Sequence, residues 1–349
     1  MAERRFLVVR LGSLGDIVHT FPAVAALRES FPASEIIWLT HPRYKMLVQS
    51  SELASSIWTT ETRATSSVIK TIREIRAASF DTSIDYQGLW KSASLPFLGG
   101  VKRRIGFSAE SVREFGVPLL YTDRVHATSA HVADQNGELS KRAGAQNAVA
   151  NFRLDSPPLQ QEELLPNLHA DVMKNYVVLS PGGGWRSKCW PPERFGALCK
   201  KLFESLSLRC LVNYGPGEED LASKVRAASG DADPVLFNGE LGALMSLLRG
   251  AVCAVGGDTG PLHLAVALGT PVVALFGPTD PARNGPYRTA TSSTSAAKSS
   301  DRQNRQDIVL RAPNVVTTHS RQDRTHPSML EIQVDAVSEA VGRIVEARK

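Results

Sequence analysis

The chain has 349 residues, 42% hydrophobic and 21% charged, with a formal net charge of +5 at neutral pH. That length suits two domains of about 150 residues each, and the composition fits a soluble globular protein. The mild basic excess favours an acidic partner without choosing among a phosphorylated substrate, an anionic lipid and nucleic acid.

The apolar run Phe6–Val9 is too short for the core of a secretory signal. No stretch approaches the roughly 20 apolar residues that cross a bilayer. A cytoplasmic protein is expected, with peripheral membrane attachment left open. Cys189, Cys199, Cys210 and Cys253 form no CxxC pair and no zinc pattern. They read as small buried hydrophobes in a reduced compartment.

In chain order, Phe6–Arg10 reads as a strand buried on both faces. A helix over Asp16–Ser30 follows, with Ile17, Phe21, Val24 and Leu27 on one stripe. Glu35–Thr40 is a strand ending in a turn at Pro42. Thr65–Ala78 is a helix carrying Val68, Ile69, Ile72 and Ile75. Thr82–Asp85 is a strand, Leu89–Leu98 a helix, and His131–Ala143 a helix stopped by Gly144. Asp155–Asn167, with its prolines and acids, reads as a linker. The alternation then restarts: strand Tyr176–Ser180, helix Pro192–Ser205, strand Arg209–Asn213, helix Glu218–Ser229 and strand Val235–Phe237. Helix Leu241–Leu248, strand Ala251–Val255, helix Gly260–Ala267 and strand Val272–Phe276 continue it. Thr289–Asn304 is a Ser/Thr-rich surface loop, and Val334–Ala347 a final amphipathic helix. Strands alternating with helices predict an α/β chain of two doubly wound parallel-sheet domains.

Five segments carry candidate chemistry. In Arg10-Leu-Gly-Ser-Leu-Gly-Asp16 two glycines permit a tight turn, but the GxGxxG dinucleotide fingerprint is absent. Asp16 either caps the helix that follows or projects from the strand end into a ligand crevice. There a carboxylate can take the proton of an attacking hydroxyl. Ser180-Pro-Gly-Gly-Gly-Trp-Arg-Ser-Lys188 runs from a strand into Gly182, Gly183 and Gly184. Their amides can approach phosphate oxygens, and Lys188 can neutralise a leaving diphosphate; a plain flexible loop is the alternative.

Gly256-Gly-Asp-Thr-Gly-Pro-Leu-His263 joins a strand to a helix start, an anion site built from Thr259 and Gly260. Asp258 would fix the turn or accept from a sugar hydroxyl, and His263 is either a buried structural histidine or part of that site. Glu218, after the strand end at Asn213, can hold a ribose hydroxyl pair or simply favour a helix N-terminus. Asp85-Tyr-Gln-Gly-Leu-Trp-Lys-Ser92 also leaves a strand end. Lys91 with Lys102, Arg103 and Arg104 would form a basic rim or a solvated face. Ser13, Gln87, Lys91, Arg103 and Arg104 are the candidate acceptor-binding residues.

The segments GDIVHTFPA, DYQGLWKSA, SKCWPPERF and GDTGPLHLAVALGTPVVALFGPTDP, in that order, resemble the ADP-heptose:lipopolysaccharide heptosyltransferases. The resemblance is nearest to the type that adds the first heptose to Kdo on lipid A. It implies a GT-B architecture, two Rossmann-like domains facing across a cleft. Residues 1–165 would bind the acceptor and 166–330 the nucleotide-sugar donor, with 331–349 a helix packing back on the first domain. It implies an inverting transfer of heptose from ADP-L-glycero-D-manno-heptose to Kdo of the lipopolysaccharide inner core. Asp16 matches the general base and Lys188 the lysine near the donor phosphates. Asp258, Thr259, Gly260 and His263 match the donor loop, and Glu218 the ribose ligand, with Glu219 the neighbouring alternative. Relatives with hydroxyl residues in the phosphate loop differ from this chain, whose Gly183 and Gly184 leave only backbone contacts. No metal, no cofactor beyond the donor and no nucleic acid partner are expected. The acceptor would be an anionic glycolipid at the inner membrane, and a monomer is the default. The alternatives are another GT-B enzyme using a UDP- or GDP-sugar, and a non-catalytic nucleotide-binding protein.

Overall fold

The computed structural model describes residues 4–148, 151–155, 175–288, 307–313, 315–318 and 322–348. The expected Ser/Thr-rich loop at 289–304, most of the expected linker and the expected boundary at residue 165 lie outside these residues. The described chain divides into two compact units, the first ending at Asp155.

In the first unit the elements are β1 (Arg5–Val9), α1 (Leu14–Val18), α2 (Phe21–Ser30), β2 (Glu35–Thr40), α3 (Lys45–Gln49) and β3 (Ser56–Thr59). They continue as α4 (Thr65–Ala78), β4 (Thr82–Asp85), α5 (Trp90–Leu98), β5 (Arg103–Phe107), β6 (Asp123–Val125) and α6 (Val132–Ala143). The sheet is parallel throughout, in the order β3-β2-β1-β4-β5-β6. Alternation along β1 fills both faces. Leu7 and Val9 meet Ile37, Leu39, Ile75 and Leu95 on one side. Phe6 and Val8 turn to the other face, where Phe21 and Trp38 stack edge-on at 5.5 Å.

The expected helix over 16–30 is two helices. Pro22 has no N–H to donate to the carbonyl four residues back, so a continuous helix cannot pass Val18. Of the four large apolar residues of α4, Ile69 is exposed. Val68, Ile72 and Ile75 step by four and three and reach the core, as does Ala78. Strands β3, β5 and β6 were not anticipated: β5 opens on two arginines, while β3 and β6 are short and lack fully buried residues.

The second unit repeats the design. It contains β7 (Tyr176–Ser180), α7 (Pro192–Leu206), β8 (Arg209–Asn213), α8 (Glu219–Ala227), β9 (Val235–Phe237), α9 (Leu241–Gly250) and β10 (Cys253–Gly257). It continues with α10 (Gly260–Ala267), β11 (Val272–Phe276), α11 (Pro281–Asn284), β12 (Ile308–Arg311), α12 (Pro327–Glu331) and α13 (Val334–Glu346). Its sheet order is β12-β11-β10-β7-β8-β9, again all parallel. Read from its own first strand, this is the same order as in the first sheet. Strand β12 was not anticipated.

The final helix spends its apolar stripe within the second unit. Val337, Ala340, Val341 and Ile344 belong to the core of the second unit, with Leu198, Leu202 and Val273. On α13, Asp335 also pairs with Lys201 of α7. The stripe packs with Leu198, Cys199 and Leu202 of α7. Ile344→Ala should therefore lower the stability of the second unit by about 2–4 kcal/mol, read as an earlier urea midpoint. A loss under about 0.5 kcal/mol, the scale of an ordinary surface change, would mean that the helix is not part of that core.

Candidate functional site

In each sheet the strand order reverses once, between β1 and β4 and between β7 and β10. At such a reversal the connections leave to opposite faces, so a crevice opens at the carboxyl ends of the two central strands. The chemistry-bearing segments leave those ends. Arg10–Asp16 follows β1, Gln87–Lys91 follows β4, Pro181–Lys188 follows β7 and Asp258–His263 follows β10.

At the β7/β10 reversal the two loops are cross-braced. Lys188 and Asp258 are buried, their side chains 10% and 11% exposed. The Lys188 ammonium donates to the Asp258 main-chain carbonyl and lies 3.4 Å from Oδ2 of its carboxylate. It also sits 4.3 Å from the Trp185 ring centre, a cation–π contact. Oδ1 of Asp258 faces Nε2 of His263 at 3.1 Å. Burial pushes the Asp258 carboxyl up, but the bond to His263 and the Lys188 charge outweigh it and hold it below its ordinary value. Asp258 and His263 thus shape the loop, with both carboxylate oxygens engaged inside the protein.

Thr259 is the N-cap of α10, and its Oγ1 is buried with no hydrogen-bond partner among the described residues. A buried hydroxyl without a partner carries a desolvation cost that a ligand oxygen would relieve. Across from it, a Cβ on Gly183 would lie 2.9 Å from Cys189 Sγ and 3.6 Å from the Thr259 methyl. A Cβ on Gly182 would lie 2.2 Å from Oε1 of Glu218. Both positions need glycine because other groups already fill the space. Glu218, half-buried, accepts from the Gly215 N–H at 2.8 Å, whereas Glu219 is exposed and accepts from Gly217. Glu218 is the glutamate that borders the glycine loop. Gly184 is open, with nothing near its Cβ position. Gly260 begins α10, so its helix start points the positive end of the dipole toward the same crevice.

At the β1/β4 reversal Asp16 is part open, its side chain 40% exposed. Oδ1 pairs with the Arg10 guanidinium at 2.8 Å, and Oδ2 accepts from both the N–H and the hydroxyl of Ser13 at 3.0 Å. Burial raises its carboxyl; the Arg10 charge, the Ser13 bonds and Arg113 outweigh this and leave it lowered. Asp16 is therefore both a helix-start ligand and an ionised carboxylate at the crevice. Gln87 ties the two loops together, its Oε1 accepting from the Leu11 N–H at 2.9 Å. Asp85 is sunk beneath, accepting from Gln87 N, Ser92 Oγ and Tyr121 Oη at 2.9, 2.8 and 2.7 Å. Burial pushes its carboxyl up despite these bonds.

Lys91 is exposed at the start of α5. Arg103 and Arg104 are not with it. They begin β5, level with Thr82 at the start of β4, on the opposite edge of the sheet from Asp16. Their guanidinium groups serve the fold: Arg103 donates to the Arg142 carbonyl and pairs with Asp123, and Arg104 donates to the Leu120 carbonyl. Lys91 and these arginines do not share one rim at the crevice, because α5 lies between them and carries the chain from the carboxyl end of β4 to the opposite edge, where β5 begins. Arg10 and Arg113 were missed as partners of Asp16. A signal for Arg10 existed: a guanidinium closing a fully apolar strand must find a counter-charge.

The Lys188–Asp258 pair makes a prediction. A carboxyl lowered on folding adds stability above the unfolded value of about pH 4 and loses it as pH falls through its folded value. Lys188→Met removes a cation from a buried carboxylate. It should cost about 3–5 kcal/mol at neutral pH and move acid unfolding to higher pH. An unchanged acid transition, followed by circular dichroism, would contradict the pairing.

Among the described residues no group of His, Cys, Asp and Glu is arranged to hold a metal ion, and no helix is long and apolar enough to cross a membrane. Residues 68–312 match the family model for glycosyltransferase family 9 (heptosyltransferase). The chain is 28% identical over 300 residues to lipopolysaccharide heptosyltransferase 1 of Pseudomonas aeruginosa, covering 81% of each. It is 26% identical over 281 residues to an Escherichia coli lipopolysaccharide heptosyltransferase 3, covering 76% of this chain and 81% of that one. The solved structure of E. coli heptosyltransferase WaaC with ADP superimposes with a TM-score of 0.74 at 23% identity, covering 97% and 99% of the two chains. That likeness gives the fold class, GT-B with two Rossmann-like units. With a family model spanning most of its length, the chain belongs to glycosyltransferase family 9 and is a glycosyltransferase.

Proposed function

We propose that this enzyme transfers heptose from ADP-L-glycero-D-manno-heptose to Kdo of the lipopolysaccharide inner core, with inversion at the anomeric carbon. The observation that carries the reading is the β7/β10 crevice. It gathers a glycine loop, an ammonium, an unpartnered hydroxyl and a helix start, which together suit a diphosphate. Support for the sugar comes from the family and from relatives named as lipopolysaccharide heptosyltransferases. Support for adenine comes from a related fold solved with ADP.

In the reaction the acceptor hydroxyl attacks the anomeric carbon as its proton passes to Asp16. The bond from that carbon to the phosphate oxygen breaks, and ADP leaves with the electron pair. Two of the three Lys188 N–H groups point to Asp258, which leaves one for a phosphate oxygen. The amides of Gly182–Gly184, the Thr259 hydroxyl and the start of α10 share the remaining charge. Glu218 holds the ribose hydroxyls. Asp258 and His263 position Lys188 and the loop. Ser13, Gln87 and Lys91 line the acceptor side of the first unit. An acceptor of this kind is an anionic glycolipid, met on the cytoplasmic face of the inner membrane, and the chemistry described needs neither metal nor cofactor.

Because Asp16 is stabilised as an anion, it is a weak base that is fully ionised at neutral pH. Asp16→Asn should lower turnover by about two to four orders of magnitude while ADP affinity stays within about twofold, within the reach of ordinary rim changes. Near wild-type turnover would leave Asp16 as a helix-start ligand only. Transfer from ADP-heptose to Kdo-lipid A, read by mass, tests the substrates, with ADP, UDP and GDP as competing ligands. Tight binding of UDP or GDP but not ADP would overturn the donor, and ADP binding without transfer to Kdo-lipid A would overturn the acceptor.

A further inference from the structure

Five large apolar side chains stand exposed on two adjoining pieces of the first unit: Trp90, Phe97 and Leu98 of α5, and Phe115 and Leu119 of the segment before β6. Phe115 is 99% exposed and Leu119 71%. Such exposure gains nothing for the fold and costs solubility.

The two pieces form one surface. Trp90 and Phe97, seven residues apart, share a face of α5. The Trp90 Nε1–H donates to the Phe115 carbonyl at 3.2 Å, and its N–H to Glu114 at 2.7 Å. The Leu119 N–H donates to the Gly116 carbonyl at 3.0 Å, and a Cβ on Gly116 would lie 3.0 Å from the Trp90 ring. The loop tip is thus clamped to the helix, so Phe115 is presented rather than loosely displayed.

Cations border the same surface. Arg76 donates to the Leu98 carbonyl at 2.7 Å and Arg124 to the Pro118 carbonyl at 2.8 Å. The Arg104 guanidinium lies 5.3 Å from the Phe97 ring. Lys91 and Arg113 flank Trp90 and Phe115 and are exposed, as are Arg76 and Arg124. Of the nearby acids, Glu114 is bound to the Trp90 N–H and Asp123 is paired with Arg103 and Arg142. Glu110 is exposed. The balance is positive.

We propose that this surface docks the enzyme on an anionic lipid bilayer. Phe115 and Leu119 enter the interfacial region, and Arg76, Arg124, Lys91 and Arg113 face lipid phosphates. Shallow apolar insertion and basic attraction are each weak alone and sufficient together. A second copy of the chain is the poorer occupant, since a symmetric contact would set these cations against one another.

The inference does not depend on the sugar donor or the acceptor, and vesicles lacking any glycolipid test it separately from transfer. The full chain should float with phosphatidylcholine vesicles containing about 30% phosphatidylglycerol and not with phosphatidylcholine alone. Raising salt from about 0.05 M to about 0.5 M should release it. The double variant Phe115→Ser/Leu119→Ser should lose about tenfold or more of the binding. Its unfolding midpoint should match the wild type, because both side chains are in solvent. Arg124→Glu should weaken binding to the anionic vesicles. Absence of wild-type binding, equal binding to neutral vesicles, or unimpaired flotation of the double variant would each overturn the proposal. So would a dimer in sedimentation velocity that the double variant abolishes while vesicle binding persists.

Discussion

Where the strand order of a parallel sheet reverses, the crossovers part and leave a crevice that no helix fills. This chain contains that constraint twice, at β1/β4 and at β7/β10. Everything chemical in the molecule follows from it. Four of the five candidate segments come off the two central pairs of strands, and the fifth, with Glu218, comes off the adjoining β8 and leans over Gly182. The remaining strands and helices cover apolar faces so that those ends can be polar.

The two crevices are furnished differently, and the difference matches a division of labour. At β7/β10 the carboxylate of Asp258 is deep and fully engaged by Lys188 and His263, so the local surplus is donors: an ammonium N–H, a threonine hydroxyl and glycine amides. Such a place suits a polyanion. At β1/β4 the carboxylate of Asp16 is part open and the cation beside it, Arg10, is buried. Such a place offers an ionised oxygen to an approaching hydroxyl. Arg10 lowers the basicity of that oxygen and in return keeps it charged.

Much of this was legible in the sequence, for a physical reason. Interior strands such as β2, β4, β7, β8 and β11 are short runs set between turns and helix patterns, and their bounds match the sequence reading to the residue. The strands that were missed carry other signals. β5 begins Arg-Arg, and the edge strands β3, β6 and β12 present polar or half-exposed residues. Missing β5 had a consequence: nearness in sequence groups Arg103 and Arg104 with Lys91, whereas helix α5 between them carries the chain to the far edge, where β5 begins. The apolar stripe of α13 was plain, but a stripe does not name its partner, and the partner is α7. The choice between Glu218 and Glu219 needed coordinates, because one residue along a helix start turns a side chain by about 100°.

The measurement that bears most directly on the two-crevice arrangement is hydrogen–deuterium exchange of the whole chain with and without saturating ADP. Protection should rise in peptides covering residues 181–189, 214–219 and 257–264, all at the carboxyl edge of the second sheet. Protection confined to the opposite edges of the sheets, such as residues 101–105, would contradict it.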